Sequence, residues 1–220
     1  MKTTFKKTMI AGSVALACLM GATAPAFAGF YNSPDLKPVA EDLGLEQVKA
    51  KGLDKLYVKK GTDFSKYSGL VLQDLEFSYS QDFRERPVND RDEDRMALYF
   101  RQAIEKRFRE NDLINLAAET GENNLMLKVT VVGLALNLSK EVVYSPRNKT
   151  FARSAGALEI VGELRDSSTG ELLAVFKDEE DNETSFPRQI TSVQVWSDVK
   201  QVFYRWSKQL DKSLTTAITR

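Results

Sequence analysis

The clearest alternation of apolar and polar residues lies between Ser154 and Glu180, in the segment SAGALEIVGELRDSSTGELLAVFKDEE. Apolar residues or glycine recur at every second position from 158 to 164, and apolar residues do so again from 172 to 176. A period of two indicates strands that bury one face, and the intervening DSSTG ends in a glycine that suits a turn. The segment therefore predicts a β-hairpin.

The length of the loop predicts the register of this hairpin. On the buried face, Ile160 is expected opposite Phe176. The other expected pairs are Leu164 with Leu172, Arg165 with Glu171 and Glu159 with Lys177. The last two are pairs of opposite charge on the outer face. A slip of one residue would exchange the two faces, so the pattern favours a single register.

Three further segments have strand-like patterns. In Gly69–Tyr79 the apolar parity changes near residues 73 and 74, and in Leu125–Leu138 it changes at Gly133. Each change predicts a β-bulge that returns the apolar residues to the core. The short segment Asp54–Lys60 ends in lysines, which predicts a strand at a sheet edge.

Apolar residues at spacings of three and four predict two long helices. The first begins at Asn89 or Asp90, whose side chains can cap it, and ends near Asn111. The second begins near residues 197–198 and ends at Ile218.

These elements predict one α+β domain over residues 53–220. We expect a two-layer sandwich, in which a mixed, mainly antiparallel sheet of five to six strands carries the two helices. Residues 29–52 contain prolines and few large apolar side chains, and we expect an extended leader arm with a short helix over Glu41–Lys51. The connection from Tyr79 to Leu125 is a β-α-β crossover if its strands are parallel.

Residues 1–28 have the features of a signal peptide. A basic start is followed by the apolar run Met9–Met20 and an A-x-A motif, so cleavage is expected between Ala28 and Gly29. The segment before Cys18 loosely resembles a lipobox, which makes lipidation of Cys18 the alternative. The expected location is the periplasm, or the outer membrane if the chain is a lipoprotein, with no transmembrane span in the mature chain.

Composition excludes several kinds of function. The chain has 31 basic and 31 acidic residues, and loss of three lysines with the signal peptide leaves 28 against 31, a small acidic excess. This balance disfavours nucleic-acid binding. There is no histidine, and the single cysteine, Cys18, precedes the cleavage site. Ser-His-Asp and Cys-His catalysis and His/Cys zinc sites are therefore excluded, and we expect no enzyme activity and no cofactor.

Without histidine and cysteine, an enzyme would have to rely on carboxylates, lysine, tyrosine or serine, and the carboxylates offer two candidate sites. The acidic run at residues 178–181, with Glu183, suits either a calcium ion or a solvated loop. Asp74 and Glu76 are the best pair for a glycosidase-type reaction, which needs two carboxylates across a sugar cleft.

Six arginines form the main basic feature, and two tryptophans flank the last helix. The arginines suit either contact with acidic lipid headgroups or peptidoglycan carboxylates, or an ordinary charged surface. They are Arg84, Arg86, Arg91, Arg95, Arg101 and Arg107. Trp206 is predicted in the core, whereas Trp196, placed just before the helix, suits either the core edge or a contact surface.

Three segments resemble a domain-of-unknown-function family of bacterial exported proteins and lipoproteins. They are LDKLYVKKGTDFSKYSGLVLQDLEFSYS, GALEIVGELRDSSTGELLAVF and WSDVKQVFYRWSKQLDKSLTTAI. The resemblance implies an α/β sandwich with a layout like the periplasmic domains of curli-secretion and outer-membrane assembly lipoproteins. It implies no catalytic residues.

Together these observations predict a non-catalytic binding or assembly protein of the periplasm or outer membrane, whose partner is another envelope protein or an outer-membrane component. A carrier of a small apolar ligand or lipid and a carboxylate-dependent envelope glycan hydrolase are the alternatives. The irregular segments Gln81–Asp94 and Ser139–Arg153 are expected to carry the functional surface, because loops carry function more often than sheets.

Overall fold

The computed structural model of the chain describes residues 35–79, 88–136, 151–152, 156–181, 188–189 and 191–219. Its helices are α1 (Lys37–Asp42), α2 (Asp90–Arg109) and α3 (Ser192–Ile218). Its strands are β1 (Leu45–Gln47), β2 (Lys55–Lys59), β3 (Gly69–Leu72), β4 (Glu76–Phe77), β5 (Asn115–Ala117), β6 (Asn124–Leu136), β7 (Phe151–Ala152), β8 (Gly156–Asp166), β9 (Leu172–Asp181) and β10 (Arg188–Gln189). The predicted cleavage site at Ala28 and Gly29 and the alternative lipidation site at Cys18 lie outside the described ranges.

Eight strands form one mixed sheet in the order β1-β2-β9-β8-β6-β3-β5, and β4 pairs with β6 beyond β3. In this order, each neighbouring pair among β1, β2, β9, β8 and β6 is antiparallel. Strand β3 runs parallel to both of its neighbours, β6 and β5. Strands β7 and β10 form a separate antiparallel pair. The α+β class and the parallel β-α-β step are confirmed. The predicted five to six strands are too few, because β1, β4 and β5 are too short to show a period.

Strands β8 and β9 form the predicted hairpin in a different register. Ile160 lies opposite Asp178 rather than Phe176. The cause is twofold: the turn takes one residue more than predicted, so that Arg165 lies opposite Leu172, and Leu173 is then an extra residue at a bulge in β9. The predicted pair Arg165–Glu171 is therefore wrong by one residue, and the predicted pairs Glu159–Lys177 and Leu164–Leu172 are wrong by two. The shift of two residues keeps the predicted faces, except that Leu172 packs on the opposite face of the sheet.

Both bulges predicted within strands are confirmed. In β6 the register with β8 shifts just before Gly133, and Leu134 returns to the main core. Between β3 and β4, the step from Leu72 to Glu76 covers four residues, whereas the matching step on β6 covers three. The intervening turn directs Leu75 into the main core. Each bulge therefore reconciles a change of apolar parity with a single buried face.

Local capping explains where the long helices begin. The Asn89 side chain accepts the backbone N–H of Asp92 at 3.0 Å, so α2 starts as predicted. Helix α3 starts about one turn earlier than predicted, because the Thr191 hydroxyl accepts the N–H of Gln194 at 3.2 Å. Trp196 therefore lies inside α3 rather than before it.

Helices α2 and α3 lie side by side in parallel on one face of the sheet. Arg95 contacts Trp196 near their first turns, and Asn111, just past the end of α2, contacts Thr215 near the end of α3. The core beneath them joins apolar residues of both helices to one face of β3, β6, β8 and β9. Phe203 is its centre, with edge contacts to the rings of Phe100 and Trp206.

The opposite face of the sheet carries a smaller apolar cluster beneath α1. Its buried members are Leu36, Ala40, Leu45, Tyr57, Val132, Val161 and Val175. The sequence predicts an extended arm over residues 29–52, but the described part of this stretch contains α1 and β1, both packed on the sheet. Because β1 pairs with β2, the strand predicted at the sheet edge lies one place inside it.

Candidate functional site

The space between the sheet and the two long helices is nearly filled. An apolar cavity of about 20 Å³ remains there, with Leu53, Phe100 and Trp206 among its lining residues. A single water needs about 10–15 Å³, whereas sites for small ligands measure about 300–1,000 Å³. This cavity therefore offers no room for the apolar ligand of the predicted carrier.

The two carboxylates proposed for a glycosidase-type reaction are both exposed and paired with bases. Asp74, whose side chain is 91% exposed, lies 2.5 Å from an Arg101 nitrogen. Glu76 lies 2.9 Å from Lys128 Nζ. A glycosidase acid needs an apolar pocket that keeps it protonated, and neither residue has one. The geometry gives the hydrolase alternative no support.

The acidic run at residues 178–181 belongs to strand β9, so the predicted solvated loop is wrong for these residues. Two of its acids face helix α3. Asp178 accepts a hydrogen bond from the Trp206 indole N–H, and Glu180 accepts one from Arg205 at 2.7 Å. In the part of the chain that the structure describes, no group of three or more acids could hold a metal ion.

Asp178 connects β9 to α3 and to the segment before β2 by accepting hydrogen bonds from uncharged N–H groups. Its Oδ1 accepts the backbone N–H of Asp54 at 3.0 Å, and Asp54 in turn accepts the N–H of Glu179 at 3.1 Å. Burial raises the pKa of Asp178 to about 6, although the hydrogen bonds from Trp206 and Asp54 act in the opposite direction. The prediction that Trp206 lies in the core is confirmed, and its N–H has the partner that a buried indole requires.

An open groove of about 450 Å³ lies between the first turns of α2 and α3. Its lining residues are Arg95, Tyr99, Ser192, Val193, Trp196, Ser197 and Lys200. The Arg95 guanidinium lies 4.6 Å from the ring centre of Trp196, and Lys200 Nζ lies 4.7 Å from that of Tyr99. The two rings meet edge to face at 6.3 Å. The groove thus presents two cations held on a pair of aromatic rings.

The chemistry of this groove favours an anionic group. Among the described residues, no carboxylate oxygen lies within 4.0 Å of Arg95 or Lys200. The lining serines, Ser192 and Ser197, add hydroxyl groups that can donate hydrogen bonds. Cation–π contact fixes each positive charge without neutralising it. The groove can therefore bind a phosphate or carboxylate.

The arginines that the sequence groups into one basic feature lie in different environments in the structure. Arg91 is exposed and Arg95 lines the groove, whereas Arg101 and Arg107 form ion pairs with Asp74 and Asp211. Arg84 and Arg86 lie outside the described residues, as does most of the two loops predicted to carry function. Trp196 is only 8% exposed, so it forms the core edge beneath the groove.

Lys200 was not among the residues that the sequence singled out. It follows Trp196 by four positions, which places both on one side of a helix. That spacing indicates a shared side only because α3 begins before Trp196, which the sequence did not predict. No helix within the described ranges is both long and apolar enough to cross a bilayer.

Three solved structures align with the chain at low sequence identity. A DUF330 family protein from Xanthomonas campestris is 13% identical, covers 66% of this chain and 81% of its own, and has a TM-score of 0.41. A PelC dodecamer from Paraburkholderia phytofirmans is 10% identical, with coverages of 73% and 96% and a TM-score of 0.35. A DUF4136 family protein from Bacteroides thetaiotaomicron is 12% identical, with coverages of 76% and 97% and a TM-score of 0.35.

No curated protein matches the chain. A family described as "Protein of unknown function (DUF3313)" matches residues 37–210, which include α1, all ten strands, α2 and most of α3. The resemblance to a domain-of-unknown-function family is thereby confirmed. The chain belongs to the DUF3313 family of proteins of unknown function.

Proposed function

We propose that this protein is a non-catalytic binding protein of the bacterial cell envelope, and that it binds its partner through the α2–α3 face. The observation that carries the proposal is the groove in which Arg95 and Lys200 rest on aromatic rings without a carboxylate partner among the described residues. Such a site favours binding of an anionic group.

The export signal supports the envelope location. A chain cut between Ala28 and Gly29 is released into the periplasm, whereas a chain lipidated at Cys18 is held on a membrane. Intact-mass measurement of the protein purified from cells distinguishes the two forms. A mass that begins at Gly29 indicates the periplasmic form, a diacylated Cys18 indicates the lipoprotein, and an uncut chain found in the cytoplasm would contradict the envelope location.

Site-specific photocrosslinking in whole cells tests the binding face. A photoreactive residue replaces Val193, which is 78% exposed at the groove, and the matched control replaces Val48, which is 41% exposed after β1. We expect position 193 to give a discrete adduct with an envelope component that position 48 does not give. Identical adducts from both positions, or only the most abundant proteins from position 193, would remove this face as the binding surface.

A further inference from the structure

Two rows of residues run along the outside of the parallel helices at spacings of three and four. The rows are Arg91, Arg95, Leu98, Gln102, Lys106 and Arg109 on α2, and Val193, Ser197, Lys200, Tyr204, Lys208 and Lys212 on α3. We call these residues the helix stripe. It contains seven bases and no acid, although the mature chain as a whole has a small acidic excess. Positive charge is therefore concentrated along these rows, although Asp94 and Glu105 of α2 directly precede two of their bases.

Folding keeps the acids of α3 out of the helix stripe. Its two acids, Asp198 and Asp211, are 7% and 4% exposed. Asp211 faces α2, where it accepts hydrogen bonds from Arg107 at 2.5 Å and from Asn111. In contrast, none of the seven bases of the stripe has a carboxylate within 4.0 Å in the described part of the chain. Their charge is available to an external partner.

The helix stripe also exposes apolar side chains. Val193 is 78% exposed, Leu98 51% and Tyr204 46%, and Lys106 Nζ lies 5.7 Å from the Tyr204 ring. From Val193 to Lys212 the stripe extends about 28 Å, at about 1.5 Å per residue. On α3 the row winds gradually around the helix, because it advances by four residues at each step from Lys200 to Lys212. A face on which bases alternate with aliphatic and aromatic residues is typical of helices that lie on a lipid surface.

We propose that the helix stripe binds the surface of an anionic phospholipid bilayer. In this arrangement Arg95 and Lys200 hold a headgroup phosphate in the groove, and Lys208 and Lys212 contact neighbouring phosphates. Val193, Leu98 and Tyr204 enter the boundary between headgroups and acyl chains. The inference rests on the proposed function and names its partner.

The form of the helix stripe favours a bilayer over an acidic protein. Lysine ammonium groups are point charges on flexible stems, which suits phosphates that have no fixed arrangement. An acidic protein of fixed shape would instead favour planar, paired recognition by arginine in a complementary pocket. Four of the seven bases of the stripe are lysines, including all three on α3, and the other three are arginines of α2.

Vesicle co-sedimentation tests the proposal. The full chain purified after export is mixed with vesicles of phosphatidylcholine alone or of phosphatidylcholine with phosphatidylglycerol. We expect much stronger binding to the anionic vesicles, decreasing as salt is added. A lipid on Cys18 would promote binding to both kinds of vesicle, so it does not produce the difference. Equal binding to both kinds would overturn the proposal.

Charge reversal shows whether the helix stripe is responsible. The double variant Lys208→Glu/Lys212→Glu should bind anionic vesicles about 30-fold more weakly, or worse, because each lysine near such a surface contributes about fivefold to binding. The control Lys37→Glu/Lys60→Glu makes the same change of net charge at exposed positions on α1 and after β2. The affinity of this control for anionic vesicles should stay within about threefold of that of the parent. Equal losses of vesicle affinity in the two variants would indicate that net charge alone determines binding, and would overturn the proposal.

Two further outcomes distinguish a lipid headgroup from a free phosphate ester, and a bilayer from a protein partner. If soluble glycerol phosphate at the same phosphate concentration releases the protein from vesicles, the groove binds a free phosphate ester and the bilayer assignment is wrong. If the protein ignores anionic vesicles but crosslinks at position 193 to one envelope protein, the proposed function stands and the lipid inference falls.

Discussion

Each of the five basic side chains in the strands of the large sheet contacts a carboxylate, whereas seven of the ten in α2 and α3 contact none within the described residues. The sheet pairs are Lys55–Asp35, Lys59–Glu171, Lys128–Glu76, Arg165–Glu163 and Lys177–Glu159. The paired bases of the helices are Arg101, Arg107 and Arg205. The unpaired ones are the bases of the helix stripe.

This difference separates charges that make contacts within the fold from charges that remain available to an external partner. Lys177 and Glu159 contact each other across the hairpin, although they are not directly opposite in the register, because long side chains reach diagonal neighbours. On the helices, Arg95, Lys106 and Lys200 rest on aromatic rings and keep their full charge. We infer that the sheet uses its charges internally and that the helices present theirs outward.

The largest expected effect concerns Asp178, a sheet acid whose hydrogen-bond donors are neutral. Its pKa is about 6 in the folded chain against an ordinary value of 3.8, so the folded state binds more protons between these values. The contribution to stability is fully present below about pH 4 and is lost as pH rises through 6, a change of about 3 kcal/mol. Urea unfolding at a series of pH values, for the parent and Asp178→Asn, measures it.

In Asp178→Asn this contribution disappears, while every other titrating group remains the same in both chains. The stability difference between variant and parent should therefore shift in favour of the variant by about 3 kcal/mol from pH 4 to pH 7. Parallel stability curves across this range would show that Asp178 does not titrate as its burial indicates.

A smaller loss is expected from a buried pair on the sheet. Glu163 is 2% exposed and lies 2.7 Å from an Arg165 nitrogen, so Glu163→Ala leaves a buried guanidinium without this carboxylate. Arg165 keeps its hydrogen bond to the Gly170 carbonyl at 2.8 Å, so we expect a cost of about 2 kcal/mol rather than more. Thermal and urea unfolding measure it, and a loss below about 0.5 kcal/mol would place this pair among ordinary surface pairs.

The smallest expected effect is on the helix stripe. Lys208→Ala/Lys212→Ala removes two exposed bases that have no carboxylate within 4.0 Å among the described residues, and alanine favours a helix. The free energy of unfolding should change by less than about 0.5 kcal/mol. A loss of 2 kcal/mol or more would mean that these lysines support the fold and would erase the contrast with the sheet.

Much of the fold was predictable because local rules operate within single segments. Gly133 and the parity change before Leu75 predicted both bulges, since a strand can bury only one face. Asn89 predicted the start of α2, since its side chain caps the adjacent turn. The hairpin faces were also predictable, but the register was not, because neither the longer turn nor the extra residue Leu173 leaves a mark in the alternating pattern.

The sequence by itself determined the α+β class, the two long helices, the central hairpin and the exclusion of histidine chemistry. Only the tertiary structure decided that β1 joins the sheet, that α1 packs on its face and that α3 lies parallel to α2. The tertiary structure also decided whether a base is paired, because most of the ion pairs of the sheet and the long helices join residues far apart in the chain. Arg107 finds Asp211 across the helix interface, whereas Lys208, only three residues from Asp211, faces outward.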